Sequence, residues 1–166
     1  MGTGSNSCLY DGNEVIDNVK NLGYLVGDEG SGSFLGKELL RSYFYRELPL
    51  DLRAPFEELV PGGKSQVLEK IYQNDNPNVY LASFAKFLSD YKKHFFVQEL
   101  VYNAFVEFLN RHVCKYKGHL ELPVNFIGSI AYHFSDILKI ALERKHMTLG
   151  KIVRKPINEL VRFHMN

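Results

Sequence analysis

From Ser33 onward the apolar positions fall at helical spacing. Phe34, Leu35, Leu39, Leu40, Tyr43 and Phe44 form one stripe, which predicts a helix starting near Ser33 with that stripe against a core. Ser31 or Ser33 supplies a hydroxyl to cap its free N–H groups. The helical pattern continues from about Leu48 to His112, punctuated by Pro49, Pro55, Pro61-Gly62-Gly63 and Asn76-Pro77. Val79 to Tyr91 carries Tyr80, Leu81, Phe84, Phe87 and Leu88 on one face. Phe96 to Val113 is richer, with Leu100, Val101, Ala104, Phe105, Phe108 and Leu109. These two amphipathic stretches are expected to pack face to face. Ile130 to Arg144 repeats the period through Ile130, Phe134, Ile137, Leu138 and Ala141.

Strand patterns are shorter. Ser7 to Tyr10, the turn Asp11-Gly12-Asn13 and the return Glu14-Val15-Ile16 predict a β-hairpin, because glycine accepts the positive φ of a tight turn. Lys20 to Gly32 is loop-like, with four glycines and the Asp28-Glu29 pair. Leu120 to Ile127 reads as a strand ending at Gly128-Ser129. Leu149 to Val153 reads as another, followed by a helix entered at Pro156. The alternation points to a mixed α/β domain, with no internal repeat and no low-complexity segment.

A chain of 166 residues that is 45% hydrophobic can bury a core of its own. Twenty basic and 19 acidic residues leave a net charge of +1, so composition lends no support to a nucleic-acid or membrane-surface partner. Cys8 and Cys114 stand far apart, which argues against a disulfide framework or a zinc site and for a reducing compartment. No signal peptide pattern opens the chain, and no apolar run reaches the roughly 20 residues that span a bilayer. A cytoplasmic protein is expected.

Candidate chemistry sits in glycine-rich turns. Gly2-Thr3-Gly4-Ser5 beside a hairpin can close backbone N–H groups around a phosphate, with the Thr3 hydroxyl as a further donor. A glycine-rich frayed terminus would look the same. In Gly27-Asp28-Glu29-Gly30-Ser31-Gly32, adjacent acids between glycines can hydrogen-bond sugar hydroxyls or receive their protons. The alternative is a solvated turn with a carboxylate near a helix N-terminus. Gly128-Ser129 at a strand end allows close approach to a ligand, although most such junctions are only tight turns. The six histidines do not cluster, and structural or surface roles are expected for them. Lys92-Lys93-His94 and Arg144-Lys145-His146 read as solvated helix ends.

Taken together, Gly2-Thr3-Gly4-Ser5-Asn6, then Gly23-Tyr24-Leu25-Val26-Gly27-Asp28-Glu29-Gly30-Ser31, then Gly128-Ser129-Ile130-Ala131 resemble the second half of the N-acetylglucosamine kinase family. That family is grouped with the BadF/BadG-type ATPases, within the actin–hexokinase–heat-shock-chaperone superfamily. The resemblance implies a ribonuclease-H-like, actin-like ATPase domain covering 1–166, the C-terminal half of a two-domain kinase, with a helix-rich insertion around 48–115. It implies ATP and Mg2+ as cofactors and an amino sugar as substrate. Gly2, Thr3, Gly4 and Ser5 would form the second phosphate loop. By the same resemblance Gly128 and Ser129 would match the adenosine motif, Ala82 would border the nucleotide, and Gly23 and Asp28 would contact the sugar.

The chain departs from the family pattern in two places. Asn21-Leu22-Gly23 stands where family sugar kinases often have Gly-Trp-Gly, which removes an aromatic platform for the sugar ring. The first phosphate loop and the catalytic aspartate belong to the family's N-terminal half, so no catalytic residue is assigned in this chain. The fragment alone is expected to be inactive, with its N-terminal domain, the sugar and a second copy in a homodimer as its partners. Two other readings stand beside this one: a BadF/BadG-type ATPase that activates a reductase, and a non-catalytic sugar- or nucleotide-binding module.

Overall fold

The hairpin is built around Asp11. A computed structural model, which describes residues 1–157, pairs β1 (Leu9–Tyr10) with β2 (Val15–Asp17) in antiparallel fashion, with a register shift between Leu9 and Tyr10. The Asp11 carboxylate accepts the N–H groups of Asn13 at 2.7 Å and Glu14 at 2.9 Å. Those bonds favour its ionised form and lower its pKa, the Glu14 N–H contributing most.

Ser31 starts the next long element. It is extended, and its Oγ accepts the Phe34 N–H at 3.2 Å, capping α2 (Gly32–Phe44). A short helix, α1 (Gly23–Val26), lies inside the Lys20–Gly32 stretch expected to be loop. The Gly27 N–H closes it onto the Gly23 carbonyl at 2.8 Å.

Five helices follow: α3 (Leu50–Glu57), α4 (Gly63–Tyr72), α5 (Pro77–Ser83), α6 (Ala85–Asp90) and α7 (Phe95–Arg111). His94 begins α7, its Nδ1 accepting the Phe96 N–H at 3.1 Å. The Val79–Tyr91 stretch is therefore two helices and not one. The break falls at Phe84, whose N–H reaches only to Leu81, while the Ser83 hydroxyl takes the Tyr80 carbonyl. The expected face-to-face pairing of this stretch with the last long helix is also corrected. α5 packs chiefly on α2, and α7 packs on α9 (Ser135–Glu143) and α2. Gly36 permits the first contact, because a Cβ there would stand 1.9 Å from the Leu81 carbonyl oxygen. Leu35, Leu39, Leu81, Val101, Phe105 and Leu138 fill the shared core.

The second sheet is a βαβ unit. β3 (Val124–Ile127) runs parallel to β4 (Leu149–Val153), with α8 (Ser129–His133) and α9 between them. β3 starts four residues later than expected. Leu120 and Leu122 are exposed in a turn whose N–H donors at Glu121 and Leu122 share the Gly118 carbonyl. The Ile130–Arg144 period is split at Phe134, a buried residue with non-helical backbone (φ −112°, ψ 29°) that ends α8 and starts α9. The helix expected from Pro156 lies mostly outside the described residues. Among those described, no helix is long and apolar enough to cross a membrane. The described residues form a helix-rich α/β structure with two small sheets.

Candidate functional site

Buried polarity is concentrated in one place. Among the described residues the buried polar side chains are Ser5, Asp28, Glu29, Ser31, Ser33 and His112. Ser5, Asp28, Glu29 and Ser31 belong to the two glycine-rich loops, Ser33 lies in the first turn of α2, and His112 touches the second loop. Polar groups are costly to bury unless they are bonded, so this cluster marks where the fold gives up apolar packing to hold a specific geometry.

The first loop is fastened through its carbonyls. Gly2 and Thr3 accept the N–H groups of Gly32 at 2.7 Å and Ser33 at 3.0 Å, which satisfies two free donors at the start of α2. The Met1 carbonyl accepts the Ile130 N–H at 3.2 Å, tying the loop to α8. Gly128 makes this approach possible: its φ is 126°, and a Cβ would stand 2.3 Å from the Met1 carbonyl oxygen. Among the described residues, no protein group accepts the N–H of Thr3 or of Gly4.

A cleft of about 310 Å³ opens beside this loop. Gly2, Thr3, Ala82 and Ser129, residues expected at a nucleotide, line it together with Gly32. Gly128 backs it through the Met1 contact. Gly4 and Ser5 are not among its lining residues and adjoin the acidic loop at Asp28. Four polar residues that no sequence pattern marked also line it: Lys86, Ser89, Asp90 and His133. Lys86 and Asp90 form an i,i+4 ion pair at 2.8 Å, a spacing that marks any solvated helix face.

The acidic loop is not a solvated turn. Asp28 has a left-handed backbone, with φ of 60°. Its Oδ1 accepts the buried Ser5 N–H at 3.1 Å, and its Oδ2 lies 3.5 Å from the Ser33 hydroxyl. Gly4 packs against the same carboxylate, which a Cβ would approach to 3.0 Å. Asp28 therefore joins both loops. Asn21 holds Ser5 from the other side, its Nδ2 donating to the Ser5 carbonyl at 2.6 Å. Gly23, exposed at the start of α1, has φ of 74° and donates its N–H to Asn21 Oδ1 at 2.5 Å. Lys37 of α2 donates to the Tyr24 carbonyl. Loss of water around Lys37 lowers its pKa, opposed by the carboxylates of Glu38, Asp28 and Glu29.

Glu29 points the other way, toward the end of α7. Its Oε2 lies 3.2 Å from His112 Nε2 and its Oε1 lies 3.4 Å from Arg111 Nε. His112 stacks on Phe108, with ring centroids 5.1 Å apart. A larger cleft of about 640 Å³ lies beside this pair, lined by Lys20, Glu29, Asn103, Asn110 and Arg111 among others. No local pattern could have exposed the pair, since 83 residues separate its members. Among the described residues no cluster of three or more His, Cys, Asp or Glu side chains could hold a metal ion, and Cys8 and Cys114 are free.

Protein-family models give no match to the chain, and curated proteins give none either. Among solved structures, the chain is similar to a candidate N-acetylglucosamine kinase from Porphyromonas gingivalis. The TM-score is 0.93 and the identity 37%. The match covers 99% of this chain and 58% of that one, so the chain spans less than two thirds of its neighbour's length.

Proposed function

We propose that this chain is the nucleotide-binding part, and one wall of the sugar site, of an ATP-dependent amino-sugar kinase of the N-acetylglucosamine or glucosamine type, built on an actin-like ATPase domain. The observation that carries this reading is the convergence of Gly2, Thr3, Ala82 and Ser129 on one cleft. The similarity to the candidate kinase along nearly the whole chain supports it.

The residues fit a nucleotide phosphate. The unengaged N–H groups of Thr3 and Gly4 are donors on a loop whose carbonyls are already occupied. The exposed Thr3 hydroxyl adds another, and Lys86 at the rim supplies positive charge. Such fixed donors stabilise charge on a transferring phosphoryl group. Mg2+ would arrive on the phosphates of ATP, as this ion commonly does. Gly23 and Asp28 are assigned to the sugar side, where Asp28 keeps lone pairs free beyond its bond to Ser5. The first phosphate loop and the base that activates the sugar hydroxyl would come from a further domain, and the intact protein would work in the cytoplasm. This chain alone is then expected to bind nucleotide without turning over sugar.

The test is titration of the purified chain with MgADP, together with an assay for N-acetylglucosamine-dependent ADP release from ATP. The expected result is binding that Thr3→Glu abolishes through charge repulsion, with no sugar-dependent release. Binding indifferent to Thr3→Glu would overturn the site assignment. Robust sugar phosphorylation by the chain alone would overturn its reading as an incomplete kinase.

A further inference from the structure

The acidic loop carries two buried carboxylates side by side, and only Asp28 faces the phosphate loop. Glu29 is turned into the protein, where its acceptor oxygens meet His112 and Arg111. A carboxylate can only accept, so the contact at 3.2 Å requires the proton on His112 Nε2. His112 is itself immobilised. It follows α7, its N–H donates to the Phe108 carbonyl at 3.0 Å, its ring stacks on Phe108, and it is 3% exposed.

The loop also lies directly on α7. Left-handed residues flank Glu29, Asp28 with φ of 60° and Gly30 with φ of 70°. A Cβ on Gly30 would stand 3.1 Å from Phe108 Cβ and 3.3 Å from the Ala104 carbonyl oxygen. Aspartate is among the few non-glycine residues that visit this conformation, and a fixed contact beside it keeps the loop there. Its peptide neighbour Glu29, anchored at a buried histidine, is placed to do so. The physical chain runs from Phe108 to His112, to Glu29, to Asp28 and then to the Ser5 N–H.

We propose that His112 is a positioning residue for the phosphate loop: by holding Glu29 it fixes the Asp28 carboxylate against the Ser5 amide and so sets the geometry of Gly2–Ser5. The proposal rests on reading Gly2–Ser5 as a phosphate loop, and it reaches that loop from a helix end that does not line the cleft at Thr3.

Three side chains at position 112 separate bonding from packing. His112→Phe keeps a flat ring on Phe108 and removes the donor, while His112→Gln places an amide N–H close to where Nε2 stood. Amide hydrogen exchange of the full chain without ligand reads the loop directly, with Leu138 and Leu142 of α9 reporting global opening. In His112→Phe the Ser5 amide is expected to exchange at least about tenfold faster relative to those two, and MgADP affinity to fall by about the same factor. In His112→Gln both return to within about threefold of the parent. Unchanged Ser5 protection in His112→Phe would overturn the proposal. So would Ser5, Leu138 and Leu142 losing protection in parallel, since His112 would then be a packing residue only. A selective Ser5 response in a parent chain that does not bind MgADP would uphold the coupling and sink the kinase reading, so the two can fail separately.

Discussion

The helices between Leu50 and Arg111 and the two loops ahead of α2 bury side chains by opposite rules. In the helical part the core is Leu, Val and Phe, with Phe56, Leu88 and Phe105 essentially without solvent contact. Such packing is non-directional and is satisfied by any arrangement that covers the stripes. In the loops and the first turn of α2 the buried groups are three serines and two carboxylates, and each has a partner at hydrogen-bond range, Asn21 Nδ2 for the Ser5 hydroxyl included. That kind of burial stabilises little on balance but penalises every other arrangement. The helices hold the molecule together, and the loops hold one shape.

Substitutions can break this comparison from either side. The largest effect is expected in the helical core, where Phe105→Ala should cost about 3–5 kcal/mol in urea unfolding. In protein that remains folded, it should leave the MgADP affinity unchanged. Asp28→Ala strands the Ser5 N–H and should cost about 1–3 kcal/mol. Its sharper signature is lost MgADP binding at a denaturant midpoint still well above that of Phe105→Ala. Asp28→Asn, which keeps an acceptor, should recover most of the stability. Ser31→Ala removes the cap of α2 and should cost about 1 kcal/mol.

The smallest expected effect is a pH dependence. Burial lowers the pKa of Lys37 below its ordinary 10.5. Below that lowered value both folded and unfolded chains are protonated, and Lys37 contributes no slope. Between it and 10.5 the unfolded chain binds the proton more, so stability should rise with pH. Tyr43 and Tyr80 are shifted upward from 10.0, chiefly by burial, and they act oppositely at higher pH. The buried Met1 amino group, lowered from 8.0, adds a rise of the same sign at lower pH. The Lys37 rise is therefore to be measured above pH 8.0 and below pH 10.0, by urea midpoints, and Lys37→Met should abolish it there.

What could be seen in the sequence follows the same division. The α2 stripe, the Asp11-Gly12 turn and the β4 run were legible, because each depends on residues close in the chain. The breaks at Phe84 and Phe134 were not, since apolar period continues through both while the backbone does not. Of the residues singled out in the sequence, Gly2, Thr3, Ala82 and Ser129 line one cleft, while Gly23 and Asp28 do not. That Asp28 braces Ser5 and that His112 meets Glu29 were invisible, because directional bonds across 23 and 83 residues leave no periodic trace.

The most direct test of the cleft assignment is an amide NMR titration of this chain with MgADP. The expected result is a joint shift of Gly2, Thr3, Gly4, Ala82 and Ser129, with α4 unmoved. Shifts centred instead on Asn103, Asn110 and Lys115 beside the larger cleft, or no shift at either, would contradict it.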